Sequence, residues 1–170
     1  YIKNLKLDNF LNIRASLILK ILLYSGARRG ELEALRTDNF IEDNELYVIH
    51  TIGKGDKERT LYMPKEYIEK ELLYYKINNI KFIASTKSTK IMDGSQIYRF
   101  LNNTYKKIGI KYSGAHILRH TFAKSMIAKN VNIVTVKELL GHSSLASTMI
   151  YTNPNQREVQ KAYLDSIRLL

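Results

Sequence analysis

Leu46-Tyr47-Val48-Ile49-His50-Thr51-Ile52 and Arg59-Thr60-Leu61-Tyr62-Met63 are rich in β-branched and aromatic residues, and they flank Gly53-Lys54-Gly55-Asp56. Two such runs around a glycine-rich polar turn are hairpin chemistry, with Lys54 projecting from the turn or its rim. Upstream, Asp8 stands where it can cap a helix whose apolar positions Phe10, Leu11, Ile13, Leu17, Ile18, Ile21 and Leu22 keep helical spacing and which ends near Ser25-Gly26. A shorter helix carries Glu31, Leu32 and Leu35, and Asn39 to Glu45 is polar and turn-prone. Downstream, Pro64 opens a helix through Lys76, Lys81 to Ser85 reads as a short strand, and Asp93 or Ser95 caps a helix reaching Gly109. From His116 onward the pattern is helical, over 116–129, 132–140, a short segment at 144–150, and 158–168. One hairpin inside an otherwise helical chain predicts a mixed α+β fold, mainly α-helical.

The 170 residues, 45% hydrophobic and 25% charged, suffice for one core of ordinary size and exclude a disordered or fibrous chain. Repeats and Gly/Ser linkers are absent, so residues 1–170 read as one domain. The longest apolar run, Ile13 to Tyr24, is broken by Arg14, Ser16 and Lys20 and falls short of the roughly 18 consecutive apolar residues of a membrane span. The chain starts at Tyr1 without a secretion-signal pattern, and the expectation is a fragment cut at its N-terminus. Without cysteine there is no disulfide, thiolate catalysis or Cys-based metal site, which is compatible with a cytoplasmic protein. Lys plus Arg number 27 against 16 Asp plus Glu, a net charge of +11 with a pI near 9.7. Such an excess suits a polyanion, either nucleic acid or an anionic membrane surface.

Three clusters hold the unusual polar residues: Arg28-Arg29-x-Glu31, His116-x-x-Arg119-His120, and Gly141-His142 followed by Tyr151. Taken singly, each has a plain structural reading. Arg28 and Glu31 make an i,i+3 ion pair that on a solvated face contributes about 0.2–0.5 kcal/mol. Lys54 is the tip of a turn, and Tyr151 is one of 12 tyrosines. His116 and His120 share a helix face at the spacing zinc proteases use, but Ile117 replaces the catalytic glutamate and no third ligand cluster follows apart from His142. No metal site is expected.

Their order along the chain is what distinguishes them. Ser25-Gly26-Ala27-Arg28-Arg29-Gly30-Glu31-Leu32 resembles the Gly-x-Arg-x-x-Glu-Leu motif of the tyrosine recombinase (phage integrase) family. Gly53-Lys54-Gly55-Asp56-Lys57-Glu58-Arg59 resembles its catalytic-lysine hairpin, His116-Ile117-Leu118-Arg119-His120 its His-x-Leu-Arg-His box, Leu139-Leu140-Gly141-His142 its Leu-Gly-His box, and Thr148-Met149-Ile150-Tyr151 its nucleophile segment. The resemblance covers residues 8 to 160 and is greatest to the Xer branch of bacterial site-specific recombinases. It implies the catalytic-domain fold of that family, with a small antiparallel hairpin or sheet carrying the catalytic lysine. Members of that family carry a separate N-terminal helical domain that clamps DNA, and the expectation is that this sequence starts after it.

What the resemblance implies for chemistry is a metal-free, cofactor-free transesterification on double-stranded DNA. Arg28 and Arg119 clamp the scissile phosphate, and Tyr151 attacks phosphorus to give a 3′-phosphotyrosine. His116 is assigned provisionally as base, Lys54 as acid for the leaving 5′ oxygen, and His142 as a donor to a non-bridging oxygen. Glu31 supports the arginines and His120 supports the site. The expected assembly is a homotetramer on two duplexes, with any translocase or accessory partner open. A tail helix within 155–170, apolar at Val159, Ala162, Tyr163, Ser166, Ile167 and Leu170, docks on a neighbouring protomer or on its own domain, the alternatives being weighed evenly. The competing readings are a catalytically silent DNA-binding relative and a topoisomerase-like enzyme.

Overall fold

Every residue from Leu46 to Ile49 is buried, whereas a strand with one wet face would alternate. The computed structural model describes residues 1–53, 58–111, 114–141 and 156–168 and accounts for that run. β2 (Leu46–Ile52) is the middle strand of a three-stranded antiparallel sheet, between β1 (Phe40–Asp43) and β3 (Glu58–Pro64). Val48 lies opposite Tyr62, Ile49 opposite Leu61, and Thr51 opposite Arg59. Successive side chains point to opposite faces. Tyr47, Ile49, Leu61 and Met63 enter the larger apolar cluster with α1 (Phe10–Tyr24), α2 (Arg29–Ala34), α3 (Lys65–Ile77) and α4 (Gly94–Lys107). Leu46, Val48 and Tyr62 enter a second cluster with α5 (His116–Ala128), α6 (Ile133–Leu140) and α7 (Gln156–Ile167). The sheet is a partition between two cores, which is why its central strand is apolar on both sides.

The hairpin and the main helices stand where the sequence predicts them, and three local expectations are corrected. Asn9, not Asp8, caps α1: its side chain accepts the Asn12 N–H at 3.0 Å, while the Asp8 carboxylate accepts the amide groups of Asn9 and Asn12. The polar stretch expected as a turn contains β1, because Phe40 is buried opposite Ile49 while Ile41 and Glu42 are exposed on an edge strand. Lys81 to Ser85 makes no strand; Phe82 and Ser85 form isolated bridges to Arg36 and Ile91. Asp93 is the cap of α4, in a reciprocal box with Gln96. The short helical segment expected at 144–150 lies outside the described residues.

The tail helix α7 buries Val159, Tyr163 and Ile167 in the second cluster of its own chain. The Tyr163 hydroxyl donates to the Tyr24 carbonyl at 2.6 Å, and the Tyr67 hydroxyl donates to the Ile167 carbonyl at 2.8 Å. Tyr163→Phe is expected to cost about 1 kcal/mol, since it removes one buried hydrogen bond and no packing volume. A urea denaturation midpoint measures it, and an unchanged midpoint would mean that this bond contributes nothing. Among the described residues no helix is long and apolar enough to cross a membrane.

Candidate active site

Gly26 ends α1 with φ +65°, and a Cβ there would lie 2.7 Å from Cδ1 of Phe122. Glycine lets the end of α1 press against α5. The chain then runs through buried Ala27 into α2, with Arg28 at the helix's N-cap position. One turn on, the Glu31 carboxylate folds back and accepts the Arg28 backbone N–H at 2.7 Å, which satisfies one of the free donors of the helix start. The same carboxylate accepts Nη1 of Arg28 at 2.9 Å and Nη1 of Arg59 at 2.7 Å. The Glu31 side chain is only 1% exposed, so this is a buried cluster and not the solvated pair of the isolated reading.

Arg119 stands one turn into α5, and its guanidinium donates to the Gly26 carbonyl and to the Leu140 carbonyl, each at 2.6 Å. The second acceptor belongs to the end of α6, where Gly141 turns the chain left-handed at φ +60°. The last carbonyls of a helix have no partner within it. Here three consecutive ones are met by three different guanidinium groups. Arg59 donates to Leu139 at 2.5 Å, Arg119 to Leu140, and Arg28 to Gly141 at 2.8 Å. The negative end of the helix dipole faces this positive cluster, a favourable arrangement.

Burial and neighbouring charge shift these groups. The Arg119 guanidinium is pushed down to about 10, first by burial and then by the positive charges of Arg59 and Arg28. Arg59 is lowered by burial, against the pull of Glu31. Burial alone would raise the Glu31 carboxyl, but the Arg59 charge and the hydrogen bonds from Arg28 and Arg59 outweigh it and hold the group below its ordinary value. At neutral pH three cations therefore surround one carboxylate. A guanidinium has five N–H donors, and among the described residues Arg28 and Arg119 each use two of them. Arg28 is the accessible one, with 30% of its side chain exposed.

The structure thus brings Arg28, Glu31 and Arg119 into one cluster. His116 is the first residue of α5 and His120 lies one turn further on; both are exposed. Lys54, His142 and Tyr151 lie outside the described residues, and His142 directly follows Gly141 in the sequence. Arg59 is the member of the cluster that sequence reasoning did not single out. The signal for it was a lone cation at the start of a strand that continues Leu61-Tyr62-Met63 into the core.

The sequence matches the model of the phage integrase family over residues 2–158. It is 35% identical to the tyrosine recombinase XerH of Campylobacter jejuni over 147 residues, which are 83% of this chain and 41% of that protein. It is 32% identical to the tyrosine recombinase XerC of Leptospira interrogans over 157 residues, 89% of this chain and 50% of that one. The chain therefore spans about half the length of the curated relatives it matches. Among solved structures, a XerH recombinase bound to a palindromic difH substrate in a post-cleavage complex superposes with a TM-score of 0.74 at 27% identity, covering 95% of this chain and 48% of the other. The XerA recombinase superposes with a TM-score of 0.67 at 32% identity, covering 90% and 58%. The fold is that of tyrosine recombinase catalytic domains, and with a family match running through nearly all of its sequence, this chain belongs to the phage integrase family.

Proposed function

We propose that the chain is the catalytic part of a site-specific DNA recombinase that breaks and rejoins strands through a 3′-phosphotyrosine on Tyr151. The observation that carries this reading is the placement of Arg28 and Arg119 around a buried Glu31 at the carboxyl end of α6, one residue before His142. A phosphodiester repels nucleophiles by its own charge, and attack by an alcohol adds charge to the non-bridging oxygens. Rigidly held cations with N–H donors to spare oppose both effects without reorganising during the reaction.

In this scheme the Tyr151 oxygen bonds to phosphorus as the bond to the 5′ oxygen breaks, so one phosphodiester replaces another and no water is consumed. A phenol with an ordinary pKa of about 10 needs help to lose its proton at neutral pH. His116 takes that proton, Lys54 gives one to the departing 5′ oxygen, and His142 donates to a non-bridging oxygen. His120 supports the site. A 5′ hydroxyl from another strand then reverses the step and releases Tyr151. A relative crystallised on a DNA substrate supports a DNA partner, and joining two sites through one tyrosine per strand calls for four protomers on two duplexes.

The test is covalent trapping. The protein is mixed with nicked, fragmented host DNA, quenched with SDS, and the protein-linked ends are sequenced. Adducts at one defined sequence are expected, equally with EDTA present, and none from Tyr151→Phe. Undiminished adducts from that variant would show that the nucleophile lies elsewhere. Relaxation of supercoils without joining of two sites would point to a topoisomerase-like activity.

A further inference from the structure

We propose that Arg59 is a positioning residue for strand cleavage, tying the base of the Lys54 hairpin to Glu31 and to the carboxyl end of α6. This rests on the recombinase reading above. Arg59 is the second residue of β3, and its fork spans three elements: Nη1 bonds the Glu31 carboxylate of α2, and Nη2 bonds the Leu139 carbonyl of α6. Its side chain is 7% exposed against 30% for Arg28, so it is withdrawn from any DNA backbone that Arg28 can reach. The turn at Gly141 is shaped around it, because a Cβ there would lie 2.6 Å from both Cδ and Nε of Arg59.

A further cation buried beside Arg28 and Arg119 is costly in desolvation, which lowers Arg59 itself, and in repulsion, which helps to lower Arg119. A hydrophobic side chain would fill the space without either cost. What it could not do is fix a carboxylate and a carbonyl at once from one rigid plane. Those two acceptors matter because Arg119 and Arg28 hold the next two carbonyls, Leu140 and Gly141. A shift of the α6 end therefore re-aims both clamping arginines and the chain that continues to His142 and Tyr151. The same side chain anchors the strand that follows the Lys54 turn.

Arg59→Lys and Arg59→Met test this in the protein as encoded. The substrate is a nicked duplex carrying the sequence recovered by trapping, made with the ordinary 5′ oxygen or with sulfur in its place, which leaves without a proton. Adduct formation is expected to slow about 100-fold in both variants, the scale of an ångström-sized misplacement. The salt dependence of DNA binding is expected to stay as in the wild type, because a buried side chain releases no counterions from DNA. The deficit is expected to persist on the sulfur substrate, and amide exchange in residues 133–141 to accelerate while α1 and α3 exchange as before. If Arg59→Met fails to fold, Arg59→Lys decides, since it keeps a cation beside Glu31 without the fork. A wild-type rate in Arg59→Lys overturns the proposal, as does a shallower salt slope, which would make Arg59 a DNA contact. Full recovery on the sulfur substrate overturns the link through α6. Should the wild type form no adducts on any DNA, the recombinase reading fails, and exchange at 133–141 alone judges Arg59, unchanged rates overturning its assignment.

Discussion

Arg119→Ala is expected to slow covalent adduct formation on trapped-site DNA by about 10²–10³-fold, the loss seen when one preorganised transition-state donor is removed. The same change strips donors from the Gly26 and Leu140 carbonyls, and each buried group left without a partner costs about 1–3 kcal/mol. The two losses are separable. Assayed well below its melting temperature, the variant should be folded, bind DNA with an affinity reduced far less than its rate, and still cleave slowly. Arg119→Lys keeps the positive charge but has no planar fork to hold two carbonyls and a phosphate together. It should recover part of the affinity and little of the rate. A variant that cleaves at the wild-type rate once folded would remove Arg119 from the phosphate clamp.

Glu31→Ala carries the largest expected loss of stability. Removing one partner of a buried ion pair leaves uncompensated charge, at a cost of about 3–5 kcal/mol. Here Arg28, Arg59 and Arg119 are left facing one another. For a domain of this size that corresponds to a melting temperature lower by about 6–20 °C. The pH dependence has a definite sign. The folded carboxyl sits below its ordinary value of 4.5, so its stabilisation is present above that pH and is lost as the pH falls through the depressed folded value. Wild type and Glu31→Gln should differ most near neutrality and converge in acid. Melting curves between pH 7 and 3 measure this, and a constant difference would show that Glu31 titrates normally in the folded chain.

Much of this was legible in the sequence because local pattern and local structure agree. The hairpin strands announce themselves by β-branched and aromatic residues, while the burial of Leu46 to Ile49 on both faces came only with the structure. Arg28, Glu31 and Arg119 were singled out through short boxes that resemble a family's motifs, not through their contacts, since Arg28 reaches Gly141 and Arg119 reaches Gly26, 113 and 93 residues away. Arg59 was missed because the hairpin segment that it ends was read for Lys54 alone, and its partners, Glu31 and Leu139, show only in the fold. β1 was missed because an edge strand needs only Phe40 turned inward, and Ile41-Glu42-Asp43 then reads as loop. The α1 cap was assigned to the wrong one of two adjacent candidates, since Asp8 and Asn9 both accept hydrogen bonds and only backbone geometry separates them.

The arginines that close the end of α6 also bear on how such a protein changes over generations. Each bonds a carbonyl at that end and so holds the folded chain together, whatever it does for the proposed chemistry, and a lineage released from selection for cleavage remains under selection to keep them. Arginine retention in a sister sequence is then a record of foldability. Decay of activity would show first at positions such as Tyr151, where an aromatic ring can persist without its hydroxyl, and a survey of descendants should weigh that position above the arginines when sorting active enzymes from silent ones.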